Sequence, residues 1–427
     1  MKKTLIAVAA AAALTATSAF AEITFGAWLR VLGSPIASTG EDVVAGMENS
    51  WGWGARTARI DINGVSEDGK AGFSMGVYND VYDGLGIGDR FNLWVKPTDT
   101  VKISIGKYDS PDNGLRGDLC YGSWNWLRPY NWAFDGEGLT FDGIWRKGLM
   151  VEADPIDGLH LFAVIPMDKT DDGKYYHTAE WTYRNAQVGF GYAIEGVGKL
   201  KAQWIGDWSY TTKADSDGNA EVDEDKKTGQ IGVAFDITAI ENLYVTAGAR
   251  FGIADKDYAP NYLKMAFTAG ASYQVSEAMK FSVDGGYIQY QDDCTLRNDE
   301  LVDNVFFVGA GVDYTIMDGL SLSADVRYMS NVKGIDTTNA DAVKNFKGFG
   351  KDGDEGAISF LIGVNKSVGS NGSLGIGFQG ATNGCGLVTA GGDSNGLVAG
   401  YNPVSGTVTG DGDEFVWAIP VSVSVWF

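Results

Sequence analysis

The sequence predicts an all-β fold, a transmembrane antiparallel up-and-down β-barrel of roughly 16–18 strands with short turns at one end and long loops at the other. Three observations point there. Apolar and polar residues alternate with period two in pieces of about ten residues, the length that crosses a bilayer at a tilt. Beyond residue 21 no run of about 18 apolar residues occurs, which excludes helical spans. The composition pairs 59 glycines and 12% aromatics with only 9 prolines. Small residues suit strands that face a lumen, and aromatics suit the two membrane interfaces.

The N-terminus comes first. Lys2 and Lys3, the apolar stretch Leu5 to Leu14 and Ala19-Phe20-Ala21 have the order of a cleavable signal peptide over 1–21. That apolar stretch is too short to span a bilayer. Residues 22–427 are then the barrel, exported from the cytoplasm. The formal charge is −22, and losing Lys2 and Lys3 (−22 − 2) makes it −24. Such acidity excludes a nucleic-acid partner, whose phosphates need basic surfaces.

Alternation is read most easily in three segments. Phe25, Ala27, Leu29 and Val31 alternate with Thr24, Gly26, Trp28 and Arg30. Phe91, Leu93 and Val95 alternate with Arg90, Asn92, Trp94 and Lys96. Leu320, Leu322, Ala324, Val326 and Tyr328 alternate with Ser321, Ser323, Asp325 and Arg327. Short turns recur at 97–100, 154–158, 239–242, 276–279 and 316–319. Several place Gly or Asn before a bulky residue, as in Gly158-Leu159, Asn242-Leu243 and Gly319-Leu320. Longer polar connections lie at 33–55, 109–137, 209–228, 333–355 and 382–413. The turn-to-turn period past residue 236 matches a propeller blade, but each repeat holds two long strands where a blade needs four short ones.

Strand candidates begin near 22, 57, 71, 89, 101, 138, 159, 176, 187, 199, 228, 243, 263, 279, 304, 320, 356, 373 and 414. Nineteen is odd and cannot put both termini on one side, so one segment between 138 and 228 is in excess. The spacing of flanking turns points to 187–194 or 199–208.

The last segment is the most specific. Phe415, Trp417, Ile419, Val421, Val423, Val425 and Phe427 place seven apolar residues on one face, and the sequence stops at the aromatic. Here it resembles the Gram-negative outer-membrane porins, whose final strand ends in Phe. Pro420 departs from the pattern, because proline removes a ladder donor. The resemblance implies a general-porin-like barrel in the outer membrane, a homotrimer, and a terminal strand with Phe427 read by the barrel-assembly machinery.

Enzyme motifs fail on context, so no enzyme is expected. Gly72-Phe73-Ser74-Met75-Gly76 fits G-x-S-x-G, and residues 375–380 fit G-x-G-x-x-G, but both lie in strand-like runs with no helix after them. His160 and His177 stand at opposite ends of a hairpin. Asp215, Asp217 and Asn219 resemble the start of a calcium loop, but Ala220 stands where Gly is needed. No cofactor and no metal site are expected, beyond divalent cations bridging the acidic loops to lipid headgroups. Cys120, Cys294 and Cys385 show no metal-ligand spacing, and which two could pair stays open.

The connection 109–137 follows the fifth strand and carries Tyr121, Trp124, Trp126, Tyr130 and Trp132, aromatic mass that is costly to leave in water. In general porins the loop after the fifth strand narrows the lumen, although the short Pro-Glu-Phe-Gly-Gly motif of that family is missing. Strand parity places Arg30, Arg59, Arg90 and Arg146 on polar faces. The porin resemblance opposes such arginines to loop acids, here Asp112, Asp118 and Asp135, which would give a transverse field across a narrow pore. Pairing with strand neighbours such as Asp61 satisfies them equally well. Two functions fit: a water-filled passive diffusion channel for small hydrophilic solutes, biased to cations or sugars, or a surface barrel acting as adhesin or envelope element.

Overall fold

Along most of the long strands polar side chains are buried and large apolar ones exposed, the reverse of a water-soluble fold. Asn92, Ser104 and Gln379 are 8%, 1% and 1% exposed, whereas Phe25, Leu93 and Ile376 are 65%, 53% and 56% exposed. An apolar surface of this extent is stable only against lipid. The structure, a computed structural model, describes residues 22–38, 43–44, 56–80, 84–107, 147–167, 179–214, 220–254, 263–290, 304–329, 357–381, 400–402, 407–409 and 415–427.

The main sheet holds nineteen strands, eighteen long ones and the two-residue Val43–Val44. The first seven long strands are β1 (Glu22–Ser38), β2 (Arg56–Val65), β3 (Ala71–Asp80), β4 (Gly84–Thr98), β5 (Val101–Lys107), β6 (Lys147–Ile156) and β7 (Leu159–Pro166). After the short helix α1 (Ala179–Arg184) come β8 (Gln187–Ile194), β9 (Gly198–Ala214), β10 (Ala220–Ile237), β11 (Leu243–Ala254) and β12 (Leu263–Ser276). The last six are β13 (Met279–Tyr290), β14 (Asn304–Met317), β15 (Leu320–Met329), β16 (Ala357–Val368), β17 (Gly372–Ala381) and β18 (Val416–Trp426). Each pairs antiparallel with its neighbours in sequence, and β18 returns to β1 with Trp28 opposite Trp426. The ring is closed, so no sheet edge is left open to hydrocarbon. Among the described residues no helix is long and apolar enough to cross a membrane; the strands cross instead.

The excess candidate is the segment at 176, and 187–194 and 199–208 are both true strands. Residues 179–184 coil into α1 because Trp181 and Tyr183 offer only two alternating positions. Glu180 and Arg184 stand four apart in the order that favours a helix, with the cation in the last turn. Two loop boundaries are also corrected. β1 runs on to Ser38, and β9 and β10 continue through most of 209–228, up to Ala214 opposite Ala220. Between Thr211 and Thr228 the sequence holds few apolar residues, so the alternation fades while the hydrogen-bond ladder goes on. Lys213 opposite Glu221 and Ser209 opposite Lys226 belong to that extension.

The short turns are as the sequence predicts. Gly158, Asn242 and Gly319 have φ of 79°, 64° and 69°, a left-handed conformation that Gly adopts freely and Asn tolerates. At Gly158 a Cβ would also stand 2.6 Å from the Ala193 carbonyl oxygen. Pro420 is accommodated by an irregularity on both sides. The β1 register shifts between Gly33 and Ile36, and the β17 pairing lapses between Ile376–Val421 and Gln379–Ala418.

Candidate functional site

The inner wall of the barrel is built by the polar parity of each strand. On β2, Arg59 points inward, and its Nε and Nη2 lie 2.8 Å and 2.7 Å from Asp61 Oδ1. Asp61 stands between two glycines in register, Gly26 on β1 and Gly76 on β3. The missing side chains leave room for the guanidinium to fold along the wall: a Cβ on Gly76 would come within 3.3 Å of it. Arg59 thus contacts Asp61, two residues along its own strand.

Further charged groups occupy the wall. Lys102 Nζ sits 2.8 Å from Glu152 Oε2 across the β5–β6 rung, while His160 Nδ1 is 2.8 Å from Asp154 Oδ1. The Lys96 and Lys102 ammoniums lie 5.8 Å and 6.0 Å from the ring centroid of the inward Trp94, within cation–π range. Lys201 and Asp236 form a buried pair at 2.5 Å, and Thr246 donates its hydroxyl to Asp236 Oδ1 at 2.7 Å. Lys280 and Asp313 meet at 3.2 Å, and the Ser323 hydroxyl donates to the same carboxylate at 2.5 Å. Arg250, 5% exposed, donates through Nε to Gln230 Oε1 at 3.0 Å. The wall also holds the buried carboxylates Asp284 and Asp325, and an apolar patch of Met150, Phe162 and Val164 on β6 and β7.

Of the candidate pore residues, Arg30 stands opposite Ser424 in the β1–β18 register, and Arg90 lies within β4. Arg146, Asp112, Asp118, Asp135, Tyr121, Trp124, Trp126 and Trp132 lie outside the described residues, as do Tyr130, the three cysteines, His177, Asp215, Asp217, Asn219 and residues 1–21. Phe427 closes the ring through its main chain. Its N–H donates to the Ala27 carbonyl at 2.8 Å, and the Ala27 N–H donates back to Phe427 at 3.0 Å. The charged residues of β9 to β14 were not among the pore candidates, which came from the early strands and the 109–137 connection; parity applied to Lys201, Asp236 and Asp313 places them on the wall. The G-x-S-x-G run lies inside β3 and the G-x-G-x-x-G run inside β17, where neither opens a helix.

Comparison with known proteins agrees with this geometry. Residues 222–352, which include most of β10 and all of β11 to β15, match the porin subfamily. No curated protein sequence matches. Among solved structures, a double variant of OccD1 (OprD) superposes with a TM-score of 0.50 at 11% identity, covering 96% of each chain. An anion-selective porin from Comamonas acidovorans gives 0.46 at 13% identity, over 95% of this chain and 99% of that one. The trimer form of OmpT from Vibrio cholerae gives 0.44 at 13% identity, with the same two coverages. At such identities the likeness is one of fold. The chain shares the barrel fold of the outer-membrane porins, and its residues 222–352 carry the sequence likeness to the porin subfamily.

Proposed function

We propose that the barrel is a passive, water-filled diffusion pore for small hydrophilic solutes, biased to cations or to sugars. The observation that carries this reading is the closed eighteen-strand ring with a polar inner wall, a size that leaves an aqueous lumen. A bare lumen of that width discriminates poorly, and selectivity needs something to narrow it. Residues 109–137 are suited to that role by their place after β5 and their aromatic content. The reading further takes 1–21 as a cleaved leader, no cofactor, acidic loops bridged to lipid by divalent cations, assembly machinery that reads the Phe427 end, and a homotrimer like the trimeric porin it resembles in fold.

Charge supports the cation preference. Arg59, Lys102, Lys201 and Lys280 each sit against a wall carboxylate, so these cations are compensated locally. The formal charge of −22 for the whole sequence then leaves the excess on the acidic side. Reversal potentials across a salt gradient should show cations preferred, most strongly in dilute salt, because fields are screened beyond about 10 Å at 0.1 M. An anion preference at low salt would mean that the inward arginines govern permeation.

The decisive experiment is single-channel conductance in planar bilayers, with and without residues 121–132. The shortened protein should conduct more and discriminate solutes less while keeping its heat-modifiable barrel. Unchanged conductance would put the segment outside the pore and favour a surface barrel whose loops bind partners.

A further inference from the structure

At the short-turn end of the barrel, strands β3 to β7 bring an indole ring and a row of charged groups together on the lumen wall. Gly72 of β3 stands opposite Trp94 of β4 in register, and a Cβ on Gly72 would come within 2.4 Å of the indole. The ring therefore covers the bare stretch of β3 left by the glycine. It is half-buried, and its remaining surface faces the lumen. The Lys96 and Lys102 ammoniums stand 5.8 Å and 6.0 Å from its centroid.

The two lysines differ in what compensates them. Lys102 faces Glu152 at 2.8 Å across the β5–β6 rung. Lys96 makes no ion pair among the described residues, and only the aromatic ring answers its charge. On the adjoining turn, where the Lys70 carbonyl accepts the Lys96 N–H, Asp68 is held by its own loop. It accepts the Ser66 hydroxyl at 2.6 Å and the Lys70 N–H at 3.0 Å. Elsewhere on the wall Arg59, Lys201 and Lys280 each hold a carboxylate, so Lys96 departs from the pattern.

Beyond Lys102 the polar row continues. His160 Nε2 lies 3.9 Å from Glu152 Oε1, and its Nδ1 lies 2.8 Å from Asp154 Oδ1. An apolar platform, a cation without a carboxylate and a row of hydrogen-bonding groups thus follow one another along the wall. A sugar ring has a matching set of surfaces, with an apolar C–H face for the indole and hydroxyls for the row.

Resting on the pore reading above, we propose that this end of the wall is a binding station for sugars that carry an anionic group. The sugar ring lies against Trp94, and its carboxylate or phosphate is taken by Lys96 in a charge-assisted hydrogen bond. Its hydroxyls reach the Lys102–Glu152 pair. The station is local. The acidic excess still governs small ions, while the ammonium contact acts only on a solute seated on the ring. A neutral sugar forgoes the Lys96 contact, and a small carboxylate without a ring forgoes the indole.

The test records current noise from single channels of the full-length protein in potassium chloride, with glucuronate, glucose or acetate added on the short-turn side. Glucuronate should interrupt the current with clearly higher affinity than glucose or acetate. Lys96→Gln should lower the glucuronate affinity roughly tenfold, to near that of glucose, and Lys96→Arg should keep it. Trp94→Ala should weaken both sugars roughly fivefold. Lys366→Gln, an equal change of charge at the same end but on β16, should leave the glucuronate affinity as it is. If the parent binds glucuronate no better than glucose, or Lys96→Gln behaves as Lys366→Gln does, the proposal fails while the pore stands. A protein that passes no current in potassium chloride ends the pore reading, and this proposal with it.

Discussion

Changing Phe427 to Asp, or deleting it, is expected to remove the protein from the outer membrane as an assembled, heat-modifiable barrel. The structure separates two roles of this residue. Its side chain is 80% exposed, and its contribution to closing the ring runs through the main chain to Ala27. A charge at that end of a lipid-facing strand costs the folded barrel only about 0–1 kcal/mol, because it lies near the interface. The Asp protein refolded from denaturant into detergent should therefore regain the heat-modifiable form with nearly the parent yield, while the same chain fails to appear in cells. That contrast assigns the aromatic ring to recognition during assembly. Normal assembly in cells would end the terminal-signal reading, and failure to refold in vitro would make the ring a structural element instead.

What was legible in the sequence follows from where the physics is one-sided. Between Leu320 and Tyr328 lipid lies on one face and water on the other, so every second residue reports its side and the strand is read to the residue. Outside the membrane that contrast vanishes. β9 and β10 continue for several rungs of main-chain ladder, with Lys213 opposite Glu221 in register, through residues with few apolar members, and no hydrophobic pattern announces them. The helix at 179–184 was missed for the opposite reason: two aromatics two residues apart imitate a strand when too few neighbours follow to decide the period.

The site was less legible than the fold. Parity identifies which side chains face the lumen, but a partner on the next strand depends on register, which sequence does not give. Arg59 illustrates the limit. Asp61 two residues away was a visible candidate, yet what allows the contact is Gly76 opposite, a residue that carries no charge signal of its own.

The Lys201–Asp236 pair gives the second large effect. Both side chains are under 10% exposed, at 3% and 9%, and the carboxylate receives the Thr246 hydroxyl as well as the ammonium. Asp236→Ala removes that acceptor and leaves Lys201 in the same surroundings without this carboxylate. Breaking a buried pair from one side typically costs about 3–5 kcal/mol, because a charge stays behind in a poorly solvating site. The midpoint of urea unfolding from lipid vesicles should fall accordingly. The double exchange Lys201→Met/Asp236→Leu removes both charges and keeps the volume, so it should recover most or all of the loss, since buried pairs replaced by apolar groups are often neutral. The resulting double-mutant cycle measures the coupling directly. If Asp236→Ala costs less than about 1 kcal/mol, lumen water reaches Lys201 and the pair behaves like an exposed one. The wall at β9–β11 would then be part of the wetted path, and the Ala protein should shift ion selectivity rather than stability.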